Sequence, residues 1–512
     1  MTQSSRSPVL QAGKRLFAAA LVALLAVFVY CYANPWQYAA TPFHSGDSEV
    51  VVPLPAAPAQ NGNFQVYQAL EDFPVILRVA KPPRVRLMGL ISPFGSGFEQ
   101  DLLARFAEDY GFTLQSREVA GFAEAHALLK AGQVDLIIGF SGDEAVTTDE
   151  KLASSPSYRQ NHAVLLSTRR NAPQGVVVSD PGLVASLPDQ GKSAGQNGKN
   201  ADGPRAVEPN VHDIFAGLDN GAVGAALLDA TSSALMRPFF LDLKARSKNL
   251  SAKSEHRWYW SKNGALPDLA LTAFWQDKDT AALLTNLEER YFGFLPQGVN
   301  APILESLMAT LGDELQRYHD AIAKAAQQYS LDPLLLTAVI FQESRFNASA
   351  VSPTGARGLL QFTNATAQAM GVNRADPISS IYGGARYLRK LWNALDGCEL
   401  SFWDRWFLAL AAYNQGPAHL KDAMDLAQRL KGDGGSWGNV KSVLPLLAGG
   451  EYAARARYGA CRGREAVNFV ENVRYYYYVL NGLVVLDRPE AEHLAPLLAI
   501  NAGDGGRGGP GL

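Results

Sequence analysis

The sequence predicts a multidomain chain in which a two-lobed α/β domain is followed by an all-α domain. Three observations carry this expectation. The chain has 512 residues, too many for one hydrophobic core. Between residues 84 and 295, strand-like apolar runs alternate with helical periodicities. From Leu304 to Tyr478 nearly every apolar stretch has helical spacing, and convincing strands vanish.

Composition narrows the function. Hydrophobic residues make up 47% and charged residues 19%, which is ordinary for globular protein. The formal net charge is −3, so bulk electrostatics give no reason to expect nucleic acid as a partner. The three cysteines (Cys31, Cys398 and Cys461) and eight scattered histidines form no metal-type pattern, so no metal and no cofactor is expected.

Residues 1–33 read as a signal or transmembrane anchor. Lys14 and Arg15 precede LFAAALVALLAVFVYCYA, residues 16–33, which holds no charge. That length approaches a bilayer span of ~20 residues. A basic start, an apolar middle and small residues near the end also make a secretory signal. Either version exports the rest of the chain, soluble or peripheral if cleaved and anchored if not. The expected location is periplasmic and membrane-associated, through an inner-membrane anchor or peripherally at the outer membrane. Export places Cys398 and Cys461 in an oxidising space, where they either pair or remain buried thiols.

Residues 34–80 are rich in Pro, Ala, Gly and Asn and read as a linker. The α/β domain is expected over 81–298. RVRLMGLI, from Arg84, is strand-like. FEQDLLARFAEDYGF is helical, with Leu102, Leu103, Phe106 and Tyr110 on one face and Gly111 as the stop. TLQSREV reads as a strand, AEAHALLKAGQ as a helix and VDLIIGF as a buried strand. This alternation predicts a mainly parallel sheet. Residues 172–210 interrupt it with DQGKSAGQNGKNADGP, which is too polar to bury. HDIFAGLDNGAVGAALLDATSSALM resumes the pattern, and RWYWSKNGALPDLALTAFWQ completes a second lobe.

The helical domain is expected over 299–490, with a disordered tail at 491–512. Asp332-Pro333 starts a helix, Asp as N-cap and Pro in the first turn. In LLLTAVIFQES, Leu336, Val339, Ile340 and Glu343 fall at i, i+3, i+4 and i+7. Glu343 therefore lies on the apolar face, where desolvation would raise its pKa into the range of a general acid. Spacing alone allows the alternative that it turns to water at the helix end. Ser352-Pro353 with Gly355 and Gly358 specify a tight return that would present Ser352 and Gln361 beside it. FLALAAYNQGP ends a helix in Tyr413 and Asn414, either at a cleft or at an ordinary capped terminus. REAVNFVENVRYYYYVL carries Glu465 and a tyrosine run that spacing alone would assign to the core.

These stretches carry a resemblance. QESRFNASAVSPTGARGLLQ, AAYNQGP and EAVNFVENVRYY, in that order, resemble the motifs of the family 1 lytic transglycosylases, whose fold is lysozyme-like. The resemblance implies that Glu343 is the single catalytic acid and base. It implies that Ser352, Gln361, Tyr413, Asn414, Glu465 and Tyr476 line the cleft, and that the partner is a peptidoglycan glycan strand. The implied reaction cuts the bond between N-acetylmuramic acid and N-acetylglucosamine without water, leaving a 1,6-anhydro ring. A hydrolytic muramidase and a non-catalytic wall-binding protein are the competing readings. The chain departs from the family pattern at Leu360, where methionine is usual, at Asn364, where proline is usual, and at Ala466-Val467, where Thr-Arg is usual.

The α/β region resembles the periplasmic solute-binding proteins of the amino-acid family (family 3), through GSGFEQDLLARFAEDYGF, LLKAGQVDLIIGFSGDEAVTTDEK and LDNGAVGAALLDATSSAL. That implies a ligand cleft between two lobes, with Lys151 and Asp229 facing it. Lys151 stands where the family has an arginine, and lysine cannot make a bidentate carboxylate clamp. Free amino acids are not expected as the domain's ligand; the two readings are a retained scaffold without a ligand and a sensor for cell-wall peptides that biases the catalytic domain. A solute-binding module ahead of a lytic domain is an uncommon arrangement.

Overall fold

The computed structural model describes residues 76–83, 92–140, 149–168, 176–179, 183, 206–207, 210–264, 268–296, 298 and 300–502. The N-terminal segment, most of the linker and the run from Arg84 lie outside these residues. Ser48–Leu498 forms one compact unit, and the architecture below is that of this unit. Among the described residues no helix is long and apolar enough to cross a membrane.

The first strand, β1 (Ile76–Lys81), begins inside the expected linker. ILRVAK buries Leu77, Val79 and Ala80, which is enough to seat a central strand. Helix α1 (Phe98–Tyr110) buries Leu102, Leu103 and Phe106 as its periodicity requires, and Gly111 ends it in the left-handed conformation. Then come β2 (Thr113–Glu118), α2 (Phe122–Lys130), β3 (Leu136–Ile137) and β4 (Leu152–Ser154). The second lobe holds β5 (Arg159–Ser167), β6 (Val177–Val178), β7 (Ala206–Val207), α3 (Val211–Asp219), β8 (Ala225–Asp229), α4 (Ala230–Met236) and β9 (Arg246–His256). The chain returns through β10 (Tyr259–Ser261), α5 (Asp268–Gln276) and α6 (Lys278–Phe292).

The strand orders are β2-β1-β3-β10-β4 and β7-β6-β8-β5-β9. Three expectations change. Both sheets are mixed rather than mainly parallel, because β10 runs antiparallel to β3 and β4, and β5 runs antiparallel to β8 and β9. The stretch RWYWS does not complete the second lobe: β10 re-enters the first sheet. The polar insertion at 172–210 contributes the short strands β6 and β7 to the second sheet. The chain thus crosses between lobes twice, after β4 and after β9. The two crossings are tied together: Ser155 N donates to Trp258 O at 2.9 Å, and Trp258 N donates to Ser155 Oγ at 2.9 Å.

The helical domain comprises α7 (Ala301–Gly312), α8 (Leu315–Gln328), α9 (Pro333–Ser344), α10 (Asn364–Met370), α11 (Pro377–Asn393), α12 (Phe402–Gln415), α13 (Pro417–Lys431), α14 (Trp437–Val443), α15 (Gly450–Arg455), α16 (Gly463–Val485) and α17 (Ala495–Ala502). Within the tail expected to be disordered from 491, Ala495–Ala502 forms α17, and residues 503–512 lie outside the described residues. Cys398 is exposed, Cys461 is buried, and both are free thiols, so the disulfide alternative is not realised.

Helix α16 is the axis of the domain. Its four consecutive tyrosines, Tyr475 to Tyr478, are all buried, which requires neighbours on every side. Tyr477 donates to Asp332 Oδ2 at 2.8 Å, beneath α9, and Tyr478 donates to Leu235 O at 2.9 Å, in the second lobe. Arg474 is 1% exposed and reaches Glu289 of α6 at 2.8 Å and Glu471 at 2.9 Å. It also lies over Phe407 at 4.2 Å and Phe294 at 5.2 Å. Phe94, from the loop before α1, packs edge-on to Trp403 at 5.2 Å and Tyr477 at 5.8 Å. A buried guanidinium whose charge is met by two carboxylates thus ties α16 to α6.

Candidate active site

Helix α9 starts as predicted. Asp332 caps it, accepting from Leu334 N at 2.7 Å, and Pro333 fills the first turn. Such a cap is worth about 1 kcal/mol. The helix is not amphipathic, however. Every residue from Pro333 to Phe341 is buried, so α9 runs through the core and not along its rim. Glu343 lies in the last turn, where the core opens. It is half-buried and accepts no hydrogen bond from any described residue. Burial, and secondly the negative charge of Glu465, push its carboxyl up to about 8. The negative end of the helix dipole acts in the same direction.

The return after α9 is a compact loop fastened at several points. Ser344 Oγ donates to Leu359 O at 2.9 Å, joining the end of α9 to the far arm. Arg357 bridges to Val351 on one side and Phe362 on the other. Gly358 has φ +81°, and a Cβ there would stand 2.5 Å from Arg374 O, so only glycine fits. Arg374 donates to Gly355 O and Phe362 O, each at 3.1 Å, and to the Asn364 side chain. Asn364, where the family has proline, thus gives the arginine a partner.

This fastening changes what two predicted residues can offer. Ser352 was expected to turn its hydroxyl to the cleft. Instead its Oγ accepts from Ala356 N at 3.0 Å and sits 3.0 Å from Thr354 Oγ1, which closes the turn. Gln361, at φ +45°, donates its amide to Gly358 O at 2.8 Å and Ala350 O at 3.1 Å. Only its carbonyl oxygen is left for a ligand.

Tyr413 and Asn414 close α12 beside this loop. Tyr413 donates to Leu360 O at 2.8 Å and stacks on Phe469 of α16 at 5.9 Å. Its hydroxyl is pushed well above the usual tyrosine range by burial, then by Glu343 and Tyr387. Tyr413 and Glu343 therefore share one site. Asn414 accepts from Gln415 Nε2 at 2.8 Å, and Gln415 Oε1 accepts from Arg462 N at 3.1 Å, tying α12 to the start of α16. Glu465 is exposed, paired with Arg462 at 2.8 Å, and near enough to raise the Glu343 pKa. Tyr476 is buried, edge-on to Phe341 at 4.9 Å, and supports α9 from beneath.

The structure therefore brings Glu343, Tyr413 and Glu465 within electrostatic reach of one another. Gln361 follows the Leu360 carbonyl that Tyr413 holds, Asn414 follows Tyr413, Ser352 closes its own turn, and Tyr476 is buried against Phe341. Sequence reasoning missed Ser344, Arg374 and Tyr387. Tyr387 packs 5.6 Å from Tyr413, on a helix where nothing in the spacing set it apart. Among the described residues no group of His, Cys, Asp and Glu is arranged to hold a metal.

In the α/β domain, Lys151 is exposed and its amine meets no described partner. Asp229 caps α4, accepting from Ser232 N at 2.9 Å. Arg159 donates to Thr231 Oγ1 at 3.1 Å and lies over Phe292 at 3.7 Å. At the crossing between lobes, buried Glu99 accepts from the Tyr158 hydroxyl and from Trp258 Nε1.

Residues 320–433 match the Transglycosylase SLT domain family, a stretch that includes Glu343, Ser352, Gln361, Tyr413 and Asn414 and stops before Glu465. The membrane-bound lytic murein transglycosylase F of Shewanella halifaxensis is 31% identical over 395 residues, covering 75% of this chain and 81% of that protein. The protein of the same name from Thiobacillus denitrificans is 32% identical over 429 residues, covering 81% and 88%. Among solved structures, an ancestral arginine-binding protein bound to arginine aligns with 43% of this chain and 100% of its own, at 15% identity and a TM-score of 0.35.

Proposed function

The chain belongs to the membrane-bound lytic murein transglycosylase F family, and on that premise we propose that Glu343 is the single acid and base of a nonhydrolytic cut in peptidoglycan. The chain is a lytic transglycosylase and its substrate is the murein glycan strand. At neutral pH Glu343 carries a proton, because burial and Glu465 hold its carboxyl at about 8. It gives that proton to the oxygen linking N-acetylmuramic acid to N-acetylglucosamine. The bond from that oxygen to the muramoyl anomeric carbon breaks, and the glucosamine leaves with a free 4-hydroxyl. The muramoyl 2-acetamido oxygen stabilises the positive carbon. Glu343, now ionised, takes the proton of the muramoyl 6-hydroxyl, whose oxygen closes the 1,6-anhydro ring. The acid is regenerated and no water is consumed. A pKa near the operating pH suits a group that must both give and take a proton.

The observation that carries this reading is a carboxyl kept neutral with no described donor fixing it. Ordinary two-carboxylate glycosidases need a second, reacting carboxylate; Glu465 is instead exposed and paired with Arg462. Around the acid, the Gln361 carbonyl oxygen and the Asn414 amide nitrogen are left to meet sugar hydroxyls and acetamido groups. Glu343→Gln should abolish anhydromuropeptides in a murein digest read by mass spectrometry. Reducing ends from the parent protein would favour a hydrolytic muramidase, and uncut murein would favour a wall-binding protein.

The protein works in the periplasm in association with a membrane, as the family name implies, and residues 1–33 are the proposed anchor. The two-lobed domain is proposed to bind cell-wall peptides, with Lys151 and Asp229 at its cleft. Calorimetry with purified stem peptides tests this: no heat with any peptide removes the assignment.

A further inference from the structure

Helix α9 ends on a residue in a costly conformation. Arg345 has φ +50° and ψ +41°, and Phe346 follows at φ +62°. Helices that end this way usually place glycine there, since a Cβ is strained in the left-handed region. Phe346 has a compensating contact, for it is 1% exposed and packs 6.3 Å from Tyr318. Arg345 has none. Its side chain is exposed and makes no hydrogen bond or ion pair with any described residue. Its charge is nevertheless felt by the hydroxyl of Tyr476. For the fold alone, glycine would serve better.

A guanidinium held in strain, unpaired, two residues past Glu343, is suited to an anion carried by a ligand. Its planar fork matches a carboxylate with two parallel hydrogen bonds. We propose that Arg345 binds a carboxylate carried by the muramoyl residue of the strand and so favours charged murein over neutral glycan. This rests on the reading of the chain as a murein-cutting enzyme. Two sources supply that chemistry: the carboxyl groups of the stem peptide, or the lactyl carboxyl that removal of the peptide exposes.

The test uses Arg345→Gly and Arg345→Lys in the full chain with three ligands. These are a peptide-bearing murein fragment, the same fragment after amidase treatment, and a chito-oligosaccharide as neutral glycan. For Arg345→Gly, KM should rise about tenfold on at least one carboxylate-bearing fragment, the loss expected for a charge-assisted contact. Over the same comparison kcat should stay within about twofold, and chito-oligosaccharide affinity should not change. Arg345→Lys should recover part of the loss, and Arg345→Gly should melt no lower than the parent. A rise confined to the peptide-bearing fragment assigns the stem peptide, and one confined to the denuded fragment assigns the lactyl group. Unchanged KM on both fragments, or an equal loss on the neutral glycan, overturns the proposal. Repeating the binding arms in a Glu343→Gln background reads the contact without turnover, so a failure of the acid/base assignment remains a separate result.

Discussion

Among the described residues, burial raises the carboxyls of Asp101 and Asp332 and also those of two glutamates, Glu99 and Glu343, which are equipped differently. Glu99, at the crossing between the α/β lobes, is pushed up to about 7 by burial, while hydrogen bonds from Tyr158 and Trp258 and the charge of Arg159 pull it down. Glu343 is pushed up to about 8, with Glu465 adding to burial and no described donor opposing it. A raised pKa alone therefore does not mark a catalyst. Glu99 is 5% exposed and both its oxygens are engaged, so its proton has nowhere to go. Glu343 is partly open and unengaged, so its proton is available to a ligand.

The sharpest way to break this comparison is to remove each carboxyl in turn. Glu343→Gln should lower the rate of murein cleavage by about a thousandfold or more, the scale of a lost general acid. A modest loss would remove the distinction between the two groups. Glu99→Ala should leave cleavage per folded molecule close to normal. It should destabilise the protein by about 1–3 kcal/mol in urea, because the Trp258 indole N–H is left buried without a partner and the Tyr158 hydroxyl loses its acceptor.

The same Glu343→Gln variant should be more stable than its parent at neutral pH. With a folded pKa of about 8 against 4.5 unfolded, the native state binds more protons between those values. Stability therefore falls as pH rises from about 4.5 to 8, and the neutral amide escapes that loss. A gain of about 2 kcal/mol near pH 7 is expected, vanishing below pH 4. Equal stability at both pH values would mean that Glu343 is not desolvated. The smallest effect belongs to Glu465→Gln. Removing its charge should lower the Glu343 pKa and move the alkaline limb of the pH–rate profile down by a few tenths of a unit, as expected for an exposed charge. An unmoved limb would assign the whole shift to burial.

Much of the helical domain was legible because its signals are local. Asp332-Pro333 fixes the start of α9 through backbone chemistry, and the glycines of the return specify a turn with little outside help. The α/β domain was legible as alternation but not as topology. Nothing in RWYWS says that it returns to the first sheet, because pairing depends on which strands folding leaves apart, and β10 fits between β3 and β4. Strands of two residues, such as Val177–Val178, are too short to show a period. The tyrosine run was ambiguous for a related reason: burial on all sides of α16 depends on neighbours distant in sequence, including Leu235 and Glu289.

By itself, the sequence determined the order of the domains, the helix that carries Glu343, and the loop that follows it. These depend on caps, turns and periodicities a few residues long. Only the tertiary structure decided what each side chain has left to give. It enclosed Ser352 in its own turn, bound the Gln361 amide to the loop, and sank Tyr476 beneath α9. It also set Glu465 where its charge reaches Glu343. Hydrogen-bond satisfaction and desolvation are properties of surroundings, and the surroundings of Glu343 come from α12, α16 and the loop together.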